Sequence, residues 1–581
     1  MVAAGERGMT TVDGTPRAMT AAGRPKARPE DASQRPPTAA ETLDYLRDCA
    51  ERSLLFWDTL RRRGDDMLEH ARLGMPPPLD FRSETILDAR RFTPRPANYA
   101  LIRIVEAEGA AADEGAAGKA PVLVLDPRAG HGPGIGGFRR ESEIGMALRE
   151  GHPVYFAAFL PEPCAGQTLA DVHHALRRFV AAIAERHPGR PPILYGNCQA
   201  GWAAALLAAD CEGVAGPVVM NGSPISYWAG GAGINPMRLL AAFTGGSWPA
   251  HLLSDLGDGV FDGAWLAQNF ETLNPGRALW DKYAELFTRV DAERDRFLAF
   301  ERWWGGFHHL ARDEIVAIVE NLFIGNQLEQ GVFRICEGCH ADLRRLRSPL
   351  VVFASWGDNI TPPHQALGWI PTVWPDTAAL EAAGQRIVYL TNPRVGHLGI
   401  FVSAAVAQHE HRAILASMEE IAALPPGLYQ MTVEDADGHE EHRVGFVRRK
   451  VEEIRFPFDR RGFEKVRETS GVIAAAYETF AGPWVRACTT PWAAEAMRWL
   501  HPMRVGRYAF SGAFNPAMRV VAAWADAVRA AGRHPLADDH PLLIEERAAM
   551  ARVSSSFDAA RRWRDAIAEQ AAAAWRVRDA G

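Results

Sequence analysis

Between residues 98 and 392, short unbroken apolar runs alternate with amphipathic stretches of helical period, and few folds accept that pattern. NYALIRIVEAE from Asn98 alternates like a strand. PVLVLD (121–126), HPVYFAAFL (152–160), PPILYG (191–196), PVVMNG (217–222), SPLVVFASWGD (348–358) and QRIVYLTN (385–392) are continuous apolar runs. Between them lie helical patterns such as Leu169, Val172, Leu176, Phe179, Val180 and Ile183. Strands apolar on both sides, alternating with helices, predict an α/β fold with a mostly parallel sheet covered on both faces. The 581 residues, 47% hydrophobic and 23% charged, exclude disorder, collagen-like repeats or coiled coil as the dominant state.

Other classes fall on charge and hydropathy. With 64 Lys+Arg against 71 Asp+Glu, the chain carries no nucleic-acid signature. No apolar run reaches the ~18 residues of a membrane span. Seven cysteines are too sparse for a disulfide framework, so a reducing cytoplasm is the expected location.

Along the chain, residues 1–37 lack apolar periodicity and a cleavable hydrophobic stretch, and are expected to be a disordered tail. Residues 38–90 predict one or two amphipathic helices, with Leu43, Leu46, Leu54, Leu55 and Trp57 at helical spacing. The α/β core is expected over 91–224 and again over 346–460. Residues 225–345, rich in helical patterns and tryptophan, are expected to form a cap over the sheet's carboxyl edge. LYQMTVEDADGHEEHRVGFVRRKV (428–451) predicts a hairpin about Asp437-Gly438. From 461 to 581 the chain reads as helical. Asn515-Pro516 starts one helix, with Ala517, Val520, Val521, Trp524 and Val528 as its apolar face.

The sharpest motif is Gly196-Asn197-Cys198-Gln199-Ala200-Gly201, between a buried run and an Ala-rich helix. Small residues two places either side of a nucleophile make the elbow pattern G-x-S-x-G, with Cys for Ser and Ala for the second Gly. An ordinary buried cysteine at a sheet–helix junction is the competing reading. Two further positions decide between them. Asp358 follows one apolar run, and His397, in Val395-Gly396-His397-Leu398-Gly399, follows another. Nucleophile, acid, histidine, each just after a strand, is the α/β-hydrolase order. Cys198, His397 and Asp358 are therefore the expected nucleophile, base and orienting acid.

An oxyanion site needs backbone donors, expected from the Gln199 amide and from the Gly-rich loop after 126, at Gly130, His131 and Gly132. That loop also contains Gly132-x-Gly134-x-x-Gly137, a formal dinucleotide fingerprint, but Gly132 lies six residues past Asp126 rather than directly after the strand. Cys336-Glu337-Gly338-Cys339-His340 matches a haem-attachment pattern. With no export segment and no second C-x-x-C, coincidence is the favoured reading. No cofactor and no metal is expected. Cys49, Cys164, Cys211 and Cys488 read as packing residues.

The cysteine elbow, the Gly357-Asp358-Asn359-Ile360-Thr361-Pro362 loop and the Gly396-His397-Leu398-Gly399 turn resemble those of poly(3-hydroxyalkanoate) synthases. WWGGFHHLARDEIVAIVENLFIGNQLEQG (303–331) is similar to their cap segment, and the HPMR and FNPAMR stretches to a branch described as 3-hydroxyalkanoate synthetase. The likeness covers roughly residues 95–410. It implies an α/β-hydrolase fold with an inserted helical cap and a C-terminal helical extension. It also implies an acyltransferase that moves a 3-hydroxyacyl group from CoA to Cys198 and on to a hydroxyl, with homodimerisation or polyester-granule association. Ala200-Gly201 stands where those synthases usually have Gly-Gly, and little chain precedes the core. A thioesterase or depolymerase with the same triad, and a non-catalytic granule protein, are the alternatives.

Overall fold

Each of those apolar runs forms a strand of one sheet. The computed structural model describes residues 36–105, 118–336, 339–435, 442–456 and 460–577. The sheet is built from β1 (Arg82–Asp88), β2 (Tyr99–Val105), β3 (Val122–Leu125), β4 (Val154–Phe159) and β5 (Ile193–Asn197). It continues through β6 (Val218–Asn221), β7 (Leu350–Ser355), β8 (Arg386–Asn392), β9 (Gly427–Asp435) and β10 (His442–Arg449). The spatial order is β1-β2-β4-β3-β5-β6-β7-β8-β9-β10. β2 runs antiparallel to both neighbours, and β4 through β9 are mutually parallel. That order, with one antiparallel strand near the start, is the α/β-hydrolase fold.

Alternate residues of the central strands feed two cores. Leu123, Leu125, Leu194 and Val352 join one beneath a helix at Leu169–Arg186. Val122, Val124, Ile193 and Val351 join the other. Period-2 alternation with both faces covered is why these strands are apolar throughout.

The sheet begins at β1, inside the 38–90 segment read as helical. RSETILD is an exposed edge strand, so its polar side chains hid it. The long helix α1 (Ala39–Arg72), closed by a Thr38/Glu41 capping box, buries the expected Leu55 in an apolar cluster with Leu60, Leu286 and Phe297, but Leu43 and Leu46 are exposed, while Asp48, Arg52 and Asp58 are buried. The rest of its seam is ionic, with Arg52 to Asp48 at 2.7 Å and to Glu546 at 2.6 Å, and Arg529 to Asp58 at 2.5 Å. In the C-terminal helix Ala517–Ala531, Met518 and Ala525 are the buried positions, whereas Val520 and Trp524 face solvent.

The paired strands β9 and β10 extend the main sheet, and the turn at 437–438 lies outside the described residues. So do most of the 1–37 tail and the side chains of Cys336 to His340. Cys488 is exposed rather than packed. No helix among the described residues is long and apolar enough to cross a membrane.

Candidate active site

The strand order reverses around β3, β4 and β5, and crevices open where it does. β5 ends at Asn197 and a helix at Ala200–Asp210 begins three residues later, so the chain must turn within two residues. Cys198 makes that turn with φ of +50°, a left-handed conformation costly for a non-glycine residue. The neighbours must be small. A Cβ on Gly196 would come within 2.6 Å of the Ala200 carbonyl oxygen, and one on Gly201 within 1.9 Å of Ser223 Oγ.

Asp358 lies in the loop after β7 and His397 opens a short helix after β8. His397 Nδ1 lies 2.7 Å from Asp358 Oδ2, and His397 Nε2 lies 3.2 Å from Cys198 Sγ. The other carboxylate oxygen of Asp358 accepts from the amides of Ile360 and Thr361, both at 2.8 Å, which fixes its direction. All three side chains are buried. Burial opposes a charge on His397, but the Asp358 carboxylate and the Cys198 sulfur outweigh it and push the ring's pKa up to about 10. The ring can therefore take the thiol's proton and hold it.

A prediction follows from that shift. His397 binds its proton more tightly folded than unfolded. Its contribution to stability is complete below its ordinary pKa of 6.5 and is lost as pH rises through about 10. Asp358→Asn should bring the ring's NMR titration midpoint down by at least a unit and flatten the decline of Tm with alkaline pH. An unmoved midpoint would contradict the pairing.

Of the expected oxyanion donors, Gln199 and His131 each line a cavity shared with Cys198. The His131 ring, 2% exposed, is packed against Trp303 and Trp304 at centroid distances of 4.7 and 5.4 Å, and burial lowers its pKa to about 4. Gly130 and Gly132 also allow a close approach of backbone. A Cβ on Gly130 would meet the Gly263 carbonyl oxygen at 2.1 Å, and one on Gly132 the Gly306 oxygen at 2.8 Å. The Gly130 carbonyl accepts from His308 N at 3.0 Å. These glycines let the cap's backbone close onto the loop. The fingerprint glycines are likewise engaged: Asp126 Oδ2 accepts from the amides of Gly134 and Ile135, at 2.7 and 2.9 Å.

Behind the elbow, Asn197 Nδ2 donates to Glu143 Oε2 at 2.6 Å, and Asn221 Nδ2 to Asn197 Oδ1 at 2.9 Å. Burial pushes the Glu143 carboxyl up to about 8. These braces were missed from sequence. Asn197 sat inside the motif, but nothing marked its partners.

The sulfur stands between two cavities. One, of about 420 Å³, is flanked by Glu271, Arg277, Lys282, Glu285 and Glu301. The other, of about 270 Å³, is lined mainly by apolar cap residues, among them Leu253, Phe261, Trp265 and Phe323. Cys198, Phe270 and Ile360 line both. Among the described residues, no group of three or more His, Cys, Asp or Glu is placed to hold a metal ion.

Comparison with known proteins gives relatives over most of the chain. An uncharacterized protein in the ackA 5' region of Rhizobium meliloti is 43% identical over 551 residues, covering 92% of this chain and 74% of that protein. Among solved structures, an esterase of Pyrobaculum calidifontis is 13% identical with a TM-score of 0.33, covering 63% of this chain and 94% of the esterase. A thioesterase domain from the curacin biosynthetic pathway is 11% identical with a TM-score of 0.31, covering 58% and 99%. The strand order carries the fold assignment independently of these overlaps. A family described as "Protein of unknown function (DUF3141)" matches residues 48–576, and the chain belongs to that family.

Proposed function

We propose that the chain is an acyl-transfer enzyme working through a Cys198 thioester. It would take a 3-hydroxyacyl group from CoA and pass it to a hydroxyl acceptor, as the likeness to poly(3-hydroxyalkanoate) synthases implies. The observation that carries this reading is the buried relay Cys198 Sγ, His397 Nε2, His397 Nδ1, Asp358 Oδ2, at 3.2 and 2.7 Å, opening on two cavities.

In the first half-reaction the thiol proton passes to His397 Nε2 and the sulfur attacks the donor's carbonyl carbon. The carbonyl oxygen takes the electron pair, with the Gln199 amide as the expected donor to it. The intermediate then expels the donor thiolate, which leaves with the proton from His397. In the second half, the acceptor hydroxyl gives its proton to His397, its oxygen attacks the thioester, and Cys198 leaves as thiolate. Asp358 holds the ring and offsets its charge throughout. Thioester exchange between two thiols is nearly isoenergetic, which suits a carrier that must release its acyl group.

The cavities support a division of the donor. The apolar one fits an acyl chain. In the other, the charges are already paired, Arg277 to Glu285 at 3.1 Å and Lys282 to Glu301 at 3.2 Å. That fits an uncharged amide-bearing arm better than a phosphate.

Incubating the protein with 3-hydroxybutyryl-CoA should add one acyl mass, mapped by peptide analysis to Cys198. Release of polymer or ester supports transfer to a hydroxyl. Release of free acid alone makes the protein a thioesterase with the same relay. No adduct at Cys198 removes both readings.

A further inference from the structure

Two residues that line the apolar cavity beside Cys198 carry buried hydroxyls without partners among the described residues. Tyr227 and Thr361 both line it, and both are buried, at 7% and 0% exposure. Among the described residues, neither the Tyr227 phenol oxygen nor Thr361 Oγ1 has a hydrogen-bond partner. A buried hydroxyl without a partner is destabilising, and native proteins leave few.

Both residues are held firmly by their backbones. The Tyr227 amide donates to Asn326 Oδ1 at 2.8 Å and its carbonyl accepts from Gln365 Nε2 at 2.8 Å. Its ring packs on Phe323 at 5.0 Å. The Thr361 amide is one of the two that fix Asp358. The two hydroxyls are thus set on rigid supports, one on the loop after β6 and one on the acid loop itself. Burial, and secondarily the nearby Cys198 sulfur, push the Tyr227 phenol well above its usual pKa, so it remains a neutral donor.

We infer that Tyr227 and Thr361 are specificity-determining residues, hydrogen-bonding an oxygen substituent carried by the acyl chain close to its carbonyl. This rests on the acyl-enzyme reading above and adds to it the side chains that distinguish a hydroxyacyl donor from an unsubstituted one. An unsubstituted chain would fill the same space and strand both hydroxyls, and such sites discriminate strongly against ligands lacking the polar group. The surrounding lining, with Leu253, Phe261 and Phe323, supplies the apolar remainder.

The test uses the N-acetylcysteamine thioesters of 3-hydroxybutyrate and butyrate, with the rate of Cys198 acylation followed by intact mass. The wild-type protein should favour the hydroxylated donor by about tenfold or more. Tyr227→Phe and Thr361→Val should each collapse that ratio, chiefly through the hydroxylated donor. Simple structural damage would slow both donors alike and leave the ratio standing, which would overturn the inference. Iodoacetamide labelling of Cys198 in each variant checks that the pocket is folded. A wild-type ratio near one, or a Tyr227→Phe effect confined to the later transfer to an alcohol, also overturns it. Acylation by both donors at equal rates would leave the acyl-enzyme reading intact. Acylation by neither would remove that reading, and this inference with it.

Discussion

Cys198→Ala is expected to lower acyl transfer roughly ten-thousand-fold or more, to the level that binding and backbone donors sustain without a nucleophile. The large effect has a geometric reason. Cys198 is the residue placed at the left-handed turn, 3.2 Å from the His397 ring, and among the described residues no other cysteine or serine appears with it in both cavities. Because sulfur and ring act as one unit, the double variant Cys198→Ala/His397→Ala should be hardly worse than either single one. Multiplicative losses would show that the two work independently and would dismantle the relay. Cys198→Ser separates nucleophile from shape, since it keeps the turn but needs a stronger base. It should fold with the wild-type Tm and retain at most about a hundredth of the activity. The readout is single-turnover acylation, which isolates the first chemical step from product release.

Much of this arrangement was legible because parallel-sheet strands advertise themselves. Each catalytic candidate was located by one rule, that it follows a continuous apolar run, and strands buried on both faces make such runs. The places where reading failed are those where polarity conceals burial. α1 packs through the expected Leu55 but also through Arg52, Asp48 and Asp58, because their charges are neutralised by Glu546, Arg533 and Arg529, nearly five hundred residues away in sequence. β1 was hidden by edge-strand polarity. In the helix 517–531, two stripes of comparable apolarity compete, and only contact with α1 decides that Met518 and Ala525 are the inner one. At the site itself, the glycines of the 130–132 loop gave a signal with a second structural reason. Small residues mark close approach, and here the backbone at Gly263 and Gly306 comes close. Tyr227 and Thr361 gave no local signal, since their significance lies in partners they lack.

Glu314→Ala is expected to destabilise the fold by about 3–5 kcal/mol, because it strands a buried guanidinium. Glu314 comes from the inserted helical block and is fully buried, and Arg128 comes from the Gly-rich loop that faces the cavity. Arg128 Nη2 donates to Glu314 Oε2 at 2.7 Å and Nη1 to Asn98 Oδ1 at 3.1 Å, while Gln167 Nε2 bridges Asn98 and Glu314 at 2.8 and 3.1 Å. The guanidinium also lies over the Phe159 ring at 5.1 Å. Four chain segments thus meet at one charge pair, which pins the cap to the core beside the candidate site. The pair itself is expected to add little net stability over a well-packed apolar replacement, since desolvating two charges offsets most of their attraction. Arg128→Met/Glu314→Leu should therefore recover more than half of the loss seen with Glu314→Ala. Urea unfolding of Arg128→Met, Glu314→Leu and the double gives the coupling energy directly. A Glu314→Ala cost below about 1 kcal/mol would mean that the other contacts hold the cap without this pair. In that event the loop carrying His131 owes its position to Trp303, Trp304 and the His308 amide, and loosening that aromatic clamp, rather than the ion pair, is what would open the cavity around Cys198.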